Sequence, residues 1–261
     1  TPMPIETLAG EPFNIRFDGP SDAPVLMLSN SLGTNLSMWD PQIPEWSKRF
    51  RVLRYDSRGH GLSVATDMSF GIDRLGRDAL AILDHFGIER AHWCGVSKGG
   101  MVGQWLATNA RERMGRLVLA NTAAHMGPPS LWNDRIATAR GQGMEALVQG
   151  VLARWFSPRF REAEPETVAR VGTMLTTTPA IGYATCCAAI RDMDQRETIR
   201  SVTNPVLVVI GTVDPATPPA AGQLIAEAIP GARTVELDAA HLSNLEQPEA
   251  FTKAVQDFLT G

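Results

Sequence analysis

The chain has 261 residues, of which 44% are hydrophobic and 20% are charged, and its net charge is −4. These values are ordinary for one large globular domain with a well-buried core. The sequence has no apolar run of the roughly 18–20 residues that a membrane-spanning helix needs. It also has no cluster of Lys and Arg of the kind that binds phosphate backbones. We therefore expect neither a membrane nor nucleic acid as a partner.

The amino-terminal segment 1–6 lacks the basic and then apolar order of a secretory signal, so we expect a cytoplasmic protein. The three cysteines are Cys94, Cys186 and Cys187. An odd number with one adjacent pair resembles neither a disulfide framework nor the spaced ligands of a zinc site. We therefore interpret all three as structural thiols, and we expect no metal ion and no cofactor.

Short apolar runs alternate with helical patterns along the chain, which predicts an α/β protein with a mainly parallel sheet covered by helices. Several runs are apolar throughout, as expected for strands that are buried on both faces. One helix is predicted over Arg74–Phe86 from its apolar spacing, with Gly87 as its stop. The predicted strands are Phe13–Phe17, Val25–Ser29, Arg51–Tyr55, Ala91–Gly95, Arg116–Ala120, Val206–Ile210 and Thr234–Leu237.

The segment 95–99, Gly-Val-Ser-Lys-Gly, directly follows one of these strands and precedes the helical stretch Met101–Asn109. A G-x-S-x-G sequence at a strand-to-helix turn is the arrangement that exposes a nucleophilic serine. Glycine is needed on both sides because larger side chains would collide where the strand and the helix meet. The start of the helix also directs free N–H groups towards the serine oxygen. We predict that Ser97 is a nucleophile, and the alternative is an ordinary turn serine.

Between Ala123 and Arg200 the alternation breaks, and helical stretches such as Met144–Phe156 and Glu166–Leu175 are separated by prolines. We interpret residues 123–200 as a helical cap, or lid, inserted between two strands of a core that comprises residues 1–122 and 201–261. The alternative interpretation is a second, all-helical domain.

A serine nucleophile needs a neighbouring base and a carboxylate that fixes the tautomer of that base. His241 follows the last predicted strand and Asp214 follows the strand before it, which gives the chain order serine, acid, histidine. We predict that they are the base and the acid, although a turn-capping role is the alternative for Asp214. The corresponding position one strand earlier holds Asn121, which cannot act as the acid. The remaining histidines are His60 in a tight loop, His85 and His92 in predicted elements, and His125 at the start of the cap.

The tetrahedral intermediate of such a reaction needs fixed N–H donors, which form an oxyanion hole. We expect one donor to be the backbone N–H of Lys98, directly after the nucleophile. The other should come from the loop after the strand Val25–Ser29, and its position indicates the backbone N–H of Leu32.

These motifs, together with Asp56–Ser63 (Asp-Ser-Arg-Gly-His-Gly-Leu-Ser), resemble the α/β-hydrolase superfamily across nearly the whole chain. The resemblance implies an α/β-hydrolase fold, with a mostly parallel eight-stranded sheet flanked by helices and a helical cap insertion. Many relatives carry His-Gly where this chain has Asn30-Ser31, which leaves the backbone role of the loop intact. The segments that more narrowly resemble the 3-oxoadipate enol-lactonases are 30–34, 38–42, 182–184 with 186–194, 211–212 with 214–219, and 240–244.

The narrower resemblance implies hydrolysis of a five-membered unsaturated lactone to 3-oxoadipate in bacterial aromatic breakdown, by way of an acyl group on Ser97. The substrate is anionic because it bears an acetate arm, and this carboxylate needs a partner in the site. The predicted cap contains arginines and no lysine. The candidates for contact with the substrate are Arg135, Arg191, His125, the nearby Lys98 and, as a wall of the pocket, Trp132.

Other hydrolases on the same fold remain alternatives, because a fold does not define a function. They include carboxylesterases for small esters, carbon–carbon bond hydrolases and cofactor-free haloperoxidases. Epoxide hydrolases and haloalkane dehalogenases carry aspartate at the nucleophile position, so Ser97 argues against them. The alternative that is not an enzyme is a ligand-binding receptor with a vestigial triad.

Overall fold

The computed structural model describes residues 5–261, and residues 1–4 of the amino-terminal segment interpreted above lie outside the described residues. All seven predicted strands are present, together with one short strand that the sequence did not reveal, Ile5–Leu8. The strands are β1 (Ile5–Leu8), β2 (Glu11–Asp18), β3 (Val25–Ser29), β4 (Arg51–Tyr55), β5 (Ala91–Val96), β6 (Met114–Ala120), β7 (Val206–Gly211) and β8 (Arg233–Leu237).

The eight strands form one sheet in the order β1-β2-β4-β3-β5-β6-β7-β8. Strands β3 to β8 run parallel to one another, whereas β1 pairs antiparallel with β2 and β2 pairs antiparallel with β4. The carboxyl ends of β5, β7 and β8 therefore open on the same edge of the sheet. The predicted mostly parallel, eight-stranded α/β-hydrolase sheet is confirmed.

Helices cover both faces of this sheet, because its central strands are apolar on both sides. In β3, Leu26 and Leu28 belong to one core layer and Met27 belongs to the other. The α-helices are α1 (Ile43–Trp46), α2 (Ile72–His85), α3 (Lys98–Asn109), α4 (Pro129–Gln142), α5 (Val148–Trp155), α6 (Pro158–Ala163), α7 (Pro165–Thr177), α8 (Ala180–Asp192), α9 (Pro219–Ala228), α10 (Ser243–Glu246) and α11 (Pro248–Thr260). Helices α2, α3 and α9 pack on the Met27 side, and α1 and α11 pack on the other.

Helices α4 to α8 all lie between β6 and β7 in the sequence, within the segment predicted to be a cap. Their buried side chains join the same core layer as Leu26 and Leu28. The predicted helix over Met144–Phe156 is a 3-10 turn, Met144–Leu147, followed by α5. The division of the chain into a core and a cap stays a prediction. Across residues 5–261, no helix combines the length and the apolar character needed to cross a membrane.

Candidate active site

Ser97 occupies the sharp turn between β5 and α3 and adopts a left-handed backbone conformation, with φ 56° and ψ −112°. Such a conformation is unfavourable for a residue with a side chain and persists only where the surroundings hold it. Two hydrogen bonds do so here. The Ser97 N–H donates to the carbonyl oxygen of Ala120 at 2.8 Å, and the hydroxyl of Thr122 donates to the Ser97 carbonyl oxygen at 2.7 Å.

The glycines on either side of Ser97 allow backbone segments to touch. A Cβ atom on Gly95 would collide with the carbonyl group of Gly99, and one on Gly99 would collide with the carbonyl group of Ser29. Neither glycine has a positive φ, so close approach is the reason for both. The spacing of the motif is thus a packing requirement of this turn.

His241 and Asp214 form a buried hydrogen-bonded pair, with His241 Nδ1 2.8 Å from Asp214 Oδ2. A carboxylate only accepts hydrogen bonds, so Nδ1 carries the proton and Nε2 is left as a bare acceptor. The other oxygen of Asp214 accepts from the backbone N–H groups of Ala216 and Thr217. Burial on its own would raise the pKa of Asp214, but His241 and the Thr217 hydrogen bonds bring the pKa below its ordinary value. Asp214 is therefore a stable carboxylate at neutral pH.

Asn121, at the end of β6, is a further partner of the Asp214 carboxylate. Its amide group donates to Asp214 Oδ2 at 3.2 Å and to the carbonyl oxygen of Ala240 at 3.1 Å. Its amide oxygen accepts from the Ser243 hydroxyl at 2.6 Å. The sequence indicates only that Asn121 stands where an acid could have been. Its contact with Asp214 depends on the pairing of β6 with β7, which the sequence does not show.

Ser97 and His241 line the same cavity, and Leu32 lines it as well. The sheet therefore brings the predicted nucleophile, base and oxyanion loop together, with Asp214 directly behind His241. The ring of Trp155, from α5, lies 6.4 Å from the His241 ring and forms part of the cavity wall. The roof of this cavity is built from α4, α5 and α8.

Within residues 5–261, two backbone N–H groups beside the cavity have no hydrogen-bond acceptor. The neighbours of Leu32 are occupied: Ser31 N–H donates to Met38 Sδ, Gly33 N–H to His60 Nε2, and Thr34 N–H to the Ser31 carbonyl. The N–H of Leu32 has no acceptor in the part of the chain that the structure describes. Lys98 is the first residue of α3, so its N–H has no partner within the helix.

The side chain of Lys98 does not line the cavity. It is fully buried, and within residues 5–261 its Nζ has no hydrogen-bond partner. Burial lowers the pKa of this amine. Of the two roles considered for Lys98, only the backbone role fits its position.

Two arginines face the cavity, and only one of them was a candidate from the sequence. Arg135 stacks over Trp132, with its guanidinium carbon 4.7 Å from the ring centroid, and both residues line the cavity. Arg154 of α5 lines it as well. Among the described residues, neither guanidinium group forms a hydrogen bond or an ion pair with the protein. Burial and then the neighbouring charge of Arg135 lower the pKa of Arg154.

Arg191 and His125 do not reach the cavity, which corrects their candidacy for substrate contact. The guanidinium group of Arg191 is already satisfied near the surface, because it donates to Asp192 at 2.8 Å and to Asn133 at 2.9 Å. His125 is exposed, and its Nδ1 lies 3.2 Å from the carbonyl oxygen of Met193. The acidic neighbour of Arg191 in the sequence was a signal that its charge is neutralised locally. No comparable signal distinguished Arg154 from the other arginines of the segment.

The three cysteines are buried and unpaired. Burial raises the pKa of Cys94 and Cys187 and raises that of Cys186 to about 11, so all three are protonated at neutral pH. Across residues 5–261, no cluster of three or more His, Cys, Asp or Glu side chains could hold a metal ion.

The sequence model of the alpha/beta hydrolase fold family matches residues 24–248, and this chain belongs to that family. It is a hydrolase of the α/β fold. The chain is 44% identical to 3-oxoadipate enol-lactonase 2 of Acinetobacter baylyi over 238 residues, which cover 91% of this chain and 89% of the relative. It superimposes on the crystal structure of the enol-lactonase from Burkholderia xenovorans LB400 with a TM-score of 0.97 and 46% identity, over 99% and 100% of the two chains. It is also 32% identical to a putative carbamate hydrolase, RutD, of a Caulobacter species, over 92% of each chain.

Proposed function

We propose that this enzyme hydrolyses 3-oxoadipate enol-lactone to 3-oxoadipate through an acyl-enzyme on Ser97. One observation supports this reaction above the others. The cavity that Ser97 and His241 line is also lined by Arg135 and Arg154, whose guanidinium groups have no protein counter-ion among the described residues. A site with two uncompensated cations favours an anionic substrate. The similarity to the enol-lactonases of Acinetobacter baylyi and Burkholderia xenovorans supports the same substrate.

In the first half of the reaction, the Ser97 oxygen attacks the lactone carbonyl carbon, and its proton passes to His241 Nε2. The negative charge on the carbonyl oxygen is stabilised by the N–H groups of Leu32 and Lys98. The ring C–O bond then breaks. The expelled enolate takes the proton from His241 and becomes a ketone, which makes this step effectively irreversible.

In the second half, a water molecule gives a proton to His241 and attacks the acyl carbon. The bond between the acyl carbon and Ser97 breaks, and the proton returns from His241 to the serine oxygen. The product leaves with a second carboxylate, formed from the lactone carbonyl. Asp214 keeps the imidazole in the required tautomer during both halves.

The free carboxylate of the substrate has two candidate partners in this proposal. Arg135 is held by its stacking on Trp132, and Arg154 lies in the same cavity. Charge-assisted hydrogen bonds to a carboxylate are strong and directional, so these residues would orient the lactone towards Ser97.

The loss of enol-lactone absorbance tests the proposal, measured with the wild type, Ser97→Ala and the exposed control Ser201→Ala. We expect turnover in the wild type and in the control, and none above background in Ser97→Ala. Equal rates in all three proteins would contradict the mechanism. A wild type that is slow on the enol-lactone and fast on neutral esters or on carbamates would point to one of the other hydrolases.

Reaction with a fluorophosphonate probe separates an enzyme from a receptor with a vestigial triad. The proposal predicts covalent labelling of the wild type at Ser97 and no labelling of Ser97→Ala. A wild type that binds the lactone without labelling or turnover would favour the receptor.

A further inference from the structure

The buried side chain of His60, in the loop after β4, contacts the loop that carries Leu32. The backbone N–H of Gly33 donates to His60 Nε2 at 2.8 Å. The imidazole is only 1% exposed, and it does not line the cavity. His60 therefore supports the Leu32 loop from the side away from the reacting atoms.

The tautomer of His60 is fixed by its second nitrogen. Nδ1 lies 3.2 Å from the carbonyl oxygen of Arg58, which can only accept, so Nδ1 carries the proton and Nε2 is the bare acceptor that Gly33 needs. The thiol of Cys186, on α8, packs 3.9 Å from Nδ1. Burial and the charge of Lys98 lower the pKa of His60 to about 3, so the ring remains in this form at neutral pH.

This hydrogen bond restricts the peptide groups next to the free N–H of Leu32. Of the four consecutive N–H groups from Ser31 to Thr34, three have protein acceptors and Leu32 alone has none among the described residues. The acceptor for the Gly33 N–H is His60, which lies in a different loop. Because Gly33 directly follows Leu32, this hydrogen bond is the nearest restraint on the carboxyl side of Leu32. Without it, the peptide between Leu32 and Gly33 could rotate, and the loop that positions the N–H of Leu32 would lose one of its restraints.

We propose that His60 is a positioning residue that keeps the Leu32 N–H ready to bind the oxyanion. The proposal rests on the function proposed above. A donor that is already oriented stabilises developing charge without reorganisation, whereas a mobile donor does not. The role belongs to the transition state, so it affects kcat and leaves substrate binding almost unchanged.

His92 provides a matched control at the opposite end of β5. Its Nδ1 accepts the backbone N–H of Arg116 at 2.9 Å, which is the same kind of hydrogen bond in a partly buried setting. It faces a surface groove, distant along the strand from the turn that carries Ser97. A purely structural role for His60 would make the two histidines equivalent in their effect on turnover.

The experiment compares His60→Leu, His60→Gln and His92→Leu, with kcat and KM for the enol-lactone and affinity for a trifluoromethyl ketone that forms an adduct with serine. His60→Leu should lower kcat about 10²–10³-fold, the range for loss of one oxyanion donor, and should weaken the ketone in parallel while KM changes little. His60→Gln should recover most of the rate, because its amide oxygen can accept from Gly33. His92→Leu should lose stability and keep the wild-type kcat. His60→Phe replaces His60→Leu if the latter does not fold.

A wild-type kcat in the variant without an acceptor would overturn the positioning role, as would a Gln variant as slow as Leu or an equal loss of rate in His92→Leu. Ser97→Ala, measured alongside, separates this proposal from the proposed function. If Ser97→Ala abolishes turnover and His60→Leu does not lower kcat, only the role of His60 is wrong. If Ser97→Ala retains turnover, the proposed function itself is wrong.

Discussion

The carboxylate of Asp214 accepts hydrogen bonds on both oxygens, and the two sides differ in kind. One oxygen accepts two backbone N–H groups, from Ala216 and Thr217, and the other faces His241 and the side chain of Asn121. The backbone donors cannot be replaced by acceptors. Any side chain at this position must therefore keep an oxygen on the loop side. An amide side chain would then direct its NH2 group towards the histidine.

Asp214→Asn should lower kcat about 10³–10⁴-fold with little change in KM. Its amide oxygen would accept the loop N–H groups, so its NH2 group would face His241 Nδ1 and force the wrong tautomer. Steady-state kinetics on the enol-lactone measures the effect. Asp238→Asn, at an exposed carboxylate that pairs with Arg159, is the control and should behave as the wild type. Activity of Asp214→Asn within tenfold of the wild type would contradict this assignment.

Arg135→Ala and Arg154→Ala should each raise KM for the anionic lactone about 10- to 100-fold, because each removes a charge-assisted hydrogen bond of about 1.5–3 kcal/mol. Hydrolysis of a neutral ester should change little in either variant. Arg191→Ala, whose guanidinium group pairs with Asp192 near the surface, is the matched control. An increase in KM for Arg191→Ala alone would show that the partner of the substrate carboxylate lies outside this cavity.

Motif spacing and chain order were enough to predict Ser97, Asp214 and His241. Such motifs indicate where the backbone must turn, and these turns lie at the ends of strands. Arg154 and Asn121 were missed because their importance comes from neighbours that are distant in the sequence. For the same reason Arg191 was an equal candidate with Arg135 until the fold showed which guanidinium group faces the cavity.

Helix α8 approaches the loop after β4 so closely that their backbones touch. Gly182, near the start of α8, faces Gly59, and a Cβ atom on Gly59 would lie 2.7 Å from the Gly182 carbonyl oxygen. A Cβ atom on Gly182 would collide with the Gly59 backbone. The contact joins the helices between β6 and β7 to the loop that contains His60, so it fixes one wall of the site.

Gly182→Ala should lower the free energy of unfolding by about 1–3 kcal/mol, the usual cost of forcing extra volume into a packed contact. Gly141→Ala, in α4, is the matched control, because a Cβ atom there meets nothing within 4 Å. It should raise the free energy of unfolding by up to ~1 kcal/mol through helix propensity. Urea denaturation of both variants measures the difference. Equal free energies of unfolding would contradict the prediction, because they would show that the backbones at this contact can separate at little cost.

The sequence pattern predicts the strands better than the helices. Strands β3 and β7 are apolar on both faces, so composition alone indicates them. The edge strand β1 has four residues, of which only Leu8 is buried, so it leaves too little pattern to detect. Helix α4 buries only Trp132 and Ala139. Helix α8 is buried on nearly all sides, and most of its buried residues are small. Neither helix therefore has a clear apolar stripe. In both helices, tertiary packing decides the structure.

The stability of the whole molecule should fall as the pH decreases from about 6.5 towards 3. The pKa of His60 is lowered to about 3, and burial lowers that of His92 as well, with Arg116 and Arg90 adding to it. The unfolded chain binds protons on these rings below about pH 6.5 while the folded protein does not, so acid favours unfolding.

Urea denaturation across this pH range measures the effect, with a slope of at most about 1.4 kcal/mol per pH unit for each histidine. His60→Gln should reduce the slope, because the variant has no ring to protonate at this position. A free energy of unfolding that is constant between pH 6.5 and 4 in the wild type would show that the buried rings take up protons in the folded state.

The guanidinium groups of Arg135 and Arg154, which lack a counter-ion among the described residues, also affect how the enzyme responds to its buffer. Two like charges close together are relieved by any small anion that fits between them, whether or not it can react. Phosphate, sulfate and simple carboxylate salts should therefore slow turnover competitively and, in the same concentration range, raise the melting temperature. The choice of buffer anion becomes a variable of every assay on this enzyme.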